Sequence, residues 1–323
     1  MAILRLDVYV PLLCVFSLFR CQLCSVEPPL NHRPIIGILA QKTSYRFENF
    51  GHSFVAASYV KYLESGGARV VPISIDLTEA QYQKLFYSIN GLLIPGGGAN
   101  LVTSEYSKNA ELFYKLALQA NDHGTYFPIW GTCLGFEELT VITSGRKLLI
   151  NTDTSNVSLP LNFTKGAQDS RMFKNFPVDL MKALAVEPLA ANSHRWSISV
   201  KNFTSNTELR NFYKILSTNM DSKGIEFVST IEAHSYPIYA VQWHPEKNLF
   251  EWTKKKDIPH TANAVKMASY MAEFFVNEAR KNWHQFFNKT EEENALIYHY
   301  VPIYTADISI YEQIYIIDNK AFS

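Results

Sequence analysis

Net charge is the first thing this chain lacks: 30 basic residues are matched by 30 acidic ones over 323 positions. That balance removes any general electrostatic case for nucleic acid or an anionic membrane and leaves small ligands as the expected partners. There is no P-loop, no dinucleotide fingerprint and no metal-ligand cluster, so no metal or organic cofactor is expected. No internal repeat, low-complexity tract or linker divides the chain. Cysteine is scarce as well. Of four, Cys14, Cys21 and Cys24 fall within the first 24 residues, and only Cys133 lies in the body of the chain.

Those first residues read as a leader. Arg5 precedes an apolar stretch from Val10 to Phe19, and small and polar residues follow before a proline pair. The stretch is well short of the roughly 20 residues that span a bilayer as a helix. The expected organisation is a secretory signal peptide over residues 1–25, cleaved between Cys21 and Val26, and a single domain over 26–323; an uncleaved anchor is the alternative. After cleavage Cys133 stands alone, either as a buried, inert core residue or as a reactive thiol. Four sequons, at Asn156, Asn162, Asn202 and Asn288, are candidate glycosylation sites of a secreted product. Chance would supply nearly as many, so they agree with the leader without establishing it.

From Arg33 the pattern alternates short apolar runs with amphipathic helices. "PIIGILA", "ARVVPISI", "GLLIPGG" and "YFPIW" read as buried strands. Between them "HSFVAASYVKYLESGG", with Val55, Tyr59 and Tyr62 on one face, "TEAQYQKLFYSI", opened by Thr78 as N-cap, and "TSEYSKNAELFYKLALQA" read as helices. The fold class is therefore α/β: an open, mostly parallel sheet flanked by helices on both faces. Beyond Lys147 the regularity fades. "SRMFKNFP" and "PVDLMKALA" suggest short helices and "NTELRNFYKILSTN" a longer one. "IEFVSTIEA" and "YPIYAVQWH" suggest added antiparallel strands joined by a turn at His234 to Pro237. "NAVKMASYMAEFFVNEARKN" reads as a closing helix, and the Tyr-rich tail is β-prone without an evident partner.

Cys133 sits in "GTCLG", a G-x-C-x-G at a strand-to-helix junction and the thiol counterpart of the G-x-S-x-G nucleophile elbow. Such a turn lifts the side chain clear of the sheet and points a helix N-terminus at it, which favours thiolate and a developing oxyanion. Thiol attack needs a base. His244 in "YAVQWHPEK" ends a strand pattern, and Glu246 two positions on can orient its other ring nitrogen; a surface His beside a solvated Glu is the plainer reading. Gly96, Gly97 and Gly98 follow another strand, where they form either a flexible turn or part of an oxyanion hole with the amide of Leu134.

Together "PGGG", "GTCLGFEEL" and "QWHPEK" resemble the class I glutamine amidotransferase-like superfamily, and the likeness is closer still to the γ-glutamyl hydrolase family. "RPIIGILAQK", "VEPLAANSHRWSISVKNFT" and "AEFFVNEARKN" extend it over the mature chain. The resemblance implies hydrolysis of γ-linked glutamate on folates and antifolates through a thioester on Cys133, with His244 as base then acid and Glu246 as orienting group. It ties His194 and Glu137 to the substrate cleft, although Glu137 also suits a first-turn carboxylate facing the helix dipole. It further implies a homodimer that is extracellular or lysosomal, with no membrane attachment after signal cleavage. Water is the expected acceptor, since no length remains for a synthetase domain. At acidic pH, a thiol of ordinary pKa about 8.5 then needs the helix dipole and an imidazolium to hold it ionised. Another glutaminase-like amidase, or a binding protein without turnover, are the competing readings.

Overall fold

The computed structural model describes residues 29–318; the expected leader lies outside them. Eight strands form the main sheet, in the order Arg69–Ile73, Ile35–Leu39, Gly91–Ile94, Ile129–Thr132, Ile238–Val241, Glu226–Ala233, Tyr213–Met220 and Asn162–Phe163. The first five are mutually parallel and the last three pair antiparallel, which is the expected mostly parallel sheet with added antiparallel strands. Of those three, however, only Glu226–Ala233 is expected as a strand from the sequence, and Ile238–Val241 joins the parallel set. Helices cover both faces because the parallel strands are apolar on both. One core gathers Ile36, Ile38, Trp130 and Val241 under the helix Ala262–Ala279, and the other gathers Leu92, Ile94, Phe113 and Phe136 under Glu105–Asp122. Each such side chain contributes about 1.5–3 kcal/mol on burial. Thr78 caps Glu79–Phe86 in a reciprocal pair with Gln81.

Three sequence expectations are corrected. "HSFVAASYVKYLESGG" is strand Ser53–Ala56 followed by a shorter helix, Ala57–Ser65. Its strand half pairs with Gln313–Ile316 of the Tyr-rich tail, the partner that a local reading has no means of finding. In "NTELRNFYKILSTN" only Thr207–Phe212 is helical, because Tyr213–Met220 takes ladder partners on both edges. "SRMFKNFP" closes a turn, Lys174 N–H to Ser170 O, and stops, with buried Glu232 accepting from the N–H groups of Arg171 and Met172.

One element has no counterpart in the sequence reading. Ile150–Leu159 and Ala190–Ser197 form a two-stranded antiparallel arm. Its inner side chains are polar: Thr152, Thr154, Ser158, Asn192, His194 and Ser197 are all buried. They satisfy one another, as in Thr152 Oγ1 to Ser197 Oγ at 2.8 Å. A strand pair held by hydroxyls carries no apolar alternation, which is why hydrophobic periodicity passes over it.

Candidate active site

The parallel strands end on one edge, and their C-terminal residues deliver Gln41, the Gly96–Gly98 loop, Cys133 and His244 to it. Open α/β sheets bind ligands at this edge. Cys133 has φ 51° and ψ −103°, and among the described residues it is the only non-glycine at positive φ. The glycines two positions either side explain how the chain tolerates this. An added Cβ on Gly135 would lie 2.0 Å from Ile94 O, and one on Gly131 would lie 2.7 Å from Gly135 O. Helix Leu134–Ser144 therefore presses directly onto the sheet and drives the turn at Cys133. Cys133 N–H donates to Val241 O at 2.8 Å, pinning the elbow to the strand that leads to His244.

His244 and Cys133 meet over Gly96. A Cβ there would sit 2.8 Å from His244 Cε1 and 3.1 Å from Cys133 Cβ, so the glycine leaves room for imidazole and thiol to face each other. His244 Nδ1 lies 2.7 Å from Glu246 Oε1. Burial alone would raise the Glu246 carboxyl, but His244 and Lys247 outweigh it and hold the group below its usual range. The ionised carboxylate accepts from Nδ1–H, which leaves Nε2 as the acceptor nitrogen of the ring. The pair is buried, so the surface reading of His244 and Glu246 is set aside.

Burial works against the expected ion pair in the resting site. Cys133 is 5% exposed, and burial pushes its thiol up, with Glu137 adding to the effect against Lys247 and the Leu134 N–H. Burial likewise pushes His244 down, and Lys247 outlasts part of the pull of Glu246. With little water to solvate either charge, burial disfavours both the thiolate and the imidazolium.

The glycine loop divides its work. Gly96 N–H donates to Tyr59 OH at 2.8 Å, and Gly98 N–H to Gln41 Oε1 at 3.3 Å. Gly96 is therefore a spacer and not an oxyanion donor, a correction to the expected role. Gly97 N–H has no acceptor among the described residues, and Leu134 N–H points at the sulfur. These two are the donors not held by the fold's own oxygen atoms. Gln41 fixes the loop by donating to Gly96 O at 2.7 Å, and a Cβ on Gly97 would fall 1.7 Å from its Oε1. Gly98 has open space around it and no steric need to be glycine.

Two cavities meet at Cys133 and the loop residues 97–100, one of about 630 Å³ and one of about 580 Å³. The larger is lined by Glu137, His194, Arg195, Lys147 and Lys256; the smaller by His244, Lys247, Arg46, Tyr45 and Tyr311. Glu137 accepts from Gln242 Nε2 at 3.1 Å, and burial pushes its carboxyl up to about 8. His194 is pushed down to about 3 by burial, with His244 adding to it, and both ring nitrogens are engaged by the polar arm. It lines the cleft as a neutral wall, not as a second base.

Gln41, Tyr59, Lys247 and Tyr311 escaped the sequence reading. Gln41 directly follows a parallel strand, a position that could have been flagged; Tyr59 and Tyr311 carry no local signal. Lys247, almost fully buried, stands 3.9 Å from Glu246 and 5.0 Å over the Tyr311 ring.

The description "peptidase C26" belongs to a family model that matches residues 34–246. The chain is 56% identical to γ-glutamyl hydrolase of Homo sapiens, over 95% of this chain and 98% of that protein. It is 39% identical to γ-glutamyl hydrolase 2 of Arabidopsis thaliana, over 93% and 88%. Among solved structures, the glutaminase domain of Trypanosoma brucei CTPS with bound acivicin aligns at TM-score 0.49 and 15% identity, over 78% of this chain and 96% of that one.

Proposed function

The chain belongs to the peptidase C26 family alongside γ-glutamyl hydrolases, and from that premise we propose that it is a cysteine hydrolase of γ-glutamyl bonds acting on folate and antifolate poly-γ-glutamates. The observation that carries the mechanism is a thiol on a strained backbone sharing the space above Gly96 with a Glu-oriented imidazole, beside the N–H groups of Gly97 and Leu134. Cys133 Sγ attacks the γ-carbonyl carbon while His244 Nε2 takes its proton, so charge separates only as the new bond forms. The carbonyl electron pair moves to oxygen, where Gly97 N–H and Leu134 N–H receive it. The C–N bond then breaks, and His244 gives its proton to the departing α-nitrogen. Water next attacks the thioester, with His244 taking its proton. The C–S bond breaks and the thiol is restored as the γ-carboxyl product leaves.

Secretion or lysosomal residence follows from the leader as a proposal, as do glycosylation and a homodimer. Exposed Asn156 and Asn162 favour glycans there, whereas Asn202 and Asn288 use their amide nitrogens on Leu148 O and Glu291 Oε1. The catalytic reading is tested by product analysis of a defined folate poly-γ-glutamate. The wild-type protein should release glutamate or glutamate oligomers, and Cys133→Ala should lose at least about 10⁴-fold in kcat. Turnover that survives the substitution overturns it.

A further inference from the structure

We propose that the larger lobe of the cleft is a polycarboxylate-binding subsite, in which Arg195, Lys147 and Lys256 hold the α-carboxylates of glutamyl residues on the acyl side of the scissile bond. The proposal rests on the hydrolase reading above and adds which lobe takes which half of the substrate, and through which residues.

The assignment of sides comes from His244. The imidazole must reach the leaving nitrogen to protonate it, and it borders the smaller cavity and not the larger. The leaving glutamate therefore departs through the smaller lobe. The acyl residue, whose carbonyl oxygen is received by Leu134 and Gly97, extends into the larger one, because Gly97 borders both lobes and Leu134 the larger alone.

The charge of that lobe is unbalanced. Lys147, Arg195 and Lys256 arrive from three separate segments, and none forms an ion pair among the described residues. Two are already held in place: Lys147 Nζ stands 4.8 Å over the Trp196 ring, and Lys256 Nζ donates to Ser155 O at 2.5 Å. Lys256 is held below its ordinary value by burial first, then by Lys247 and Arg195, so it feels the repulsion of the neighbouring cations. The only carboxyl lining this lobe is Glu137, which burial keeps protonated up to about pH 8, so it does not neutralise them. Three cations gathered in a concave wall without counter-ions match a ligand carrying several anions at regular spacing. A γ-linked glutamate chain leaves one free α-carboxylate on every residue, which is that pattern.

The test compares two substrates on wild-type protein, Arg195→Gln, Lys256→Gln and the triple variant with Lys147→Gln. One is a γ-glutamyl amide whose acyl side carries three free α-carboxylates; the other is the same amide with those groups as methyl esters. The ratio of kcat/KM for acid over ester should fall about tenfold in Arg195→Gln or Lys256→Gln and further in the triple variant, through KM. Added salt should lower the ratio in wild type far more than in the triple variant. A ratio within twofold of wild type in all variants overturns the proposal. In parallel, calorimetry follows the triacid binding to Cys133→Ala with and without Arg195→Gln. Absence of thiol-dependent turnover would sink the hydrolase reading, whereas affinity in this second arm that ignores Arg195 would sink the subsite alone.

Discussion

Two walls of the same cleft were built in different ways. The sheet edge that carries Cys133 and His244 is assembled from neighbouring parallel strands, with Val241 paired to Thr132 and Gly131 to Ile94. Each functional side chain there follows its strand by one to three residues. The facing wall is assembled from remote segments: Gln41 near the start, Tyr59 on the helix that follows Ser53–Ala56, and Tyr311 in the tail. A small sheet of Gln41–Lys42, Ser53–Ala56, Gln313–Ile316 and Ile303–Tyr304 ties these together. The tail is further secured where Glu312 N–H donates to Glu251 Oε2 and Trp252 N–H to Glu312 Oε1. On the proposed mechanism, the chemistry falls to the wall made locally, while the positioning of the loop falls to the wall made at long range.

The comparison breaks most readily at the elbow. Gly135→Ala places a methyl carbon at 2.0 Å from Ile94 O, where backbone on both sides leaves nothing able to yield. A loss of about 4 kcal/mol or outright failure to fold is expected. Gly98→Ala meets open space and should stay within about 0.5 kcal/mol. Chemical denaturation of the two proteins checks this, and equal stabilities would refute the account of the G-x-C-x-G spacing.

Catalysis separates the walls next. Glu246→Gln removes the charge that fixes the His244 tautomer and should lower kcat on the order of 10³-fold. Gln41→Leu frees the glycine loop without touching the reacting groups and should cost about tenfold. If Gln41→Leu cost as much as Glu246→Gln, the division between chemistry and positioning would collapse.

The smallest effect concerns pH. Glu137 and Glu138 are pushed up to about 8 and about 7, in each case chiefly by burial. The folded protein therefore holds protons that the unfolded chain releases in the ordinary carboxyl range. Their contribution to stability is complete in acid and declines as pH rises from that range through 7 to 8. Wild type should lose on the order of a few kcal/mol more than Glu137→Gln between pH 5 and 8.5. Parallel declines in denaturation experiments would show that Glu137 ionises freely in the fold.

By itself the amino-acid order determined the parallel core and the identity of its thiol, imidazole and orienting carboxylate. Apolar runs, cap residues and glycines at fixed offsets act over a few positions and are visible there. Tertiary structure alone decided that Gly96 is a spacer and Gly97 a donor, because Tyr59 and Gln41 compete for the loop's N–H groups from distant segments. It also decided that the polar arm folds over the site, since hydroxyl pairing leaves no hydrophobic period to read. And it set the burial of Cys133 and His244, which pushes the thiol up and the imidazole down because the surrounding walls exclude water.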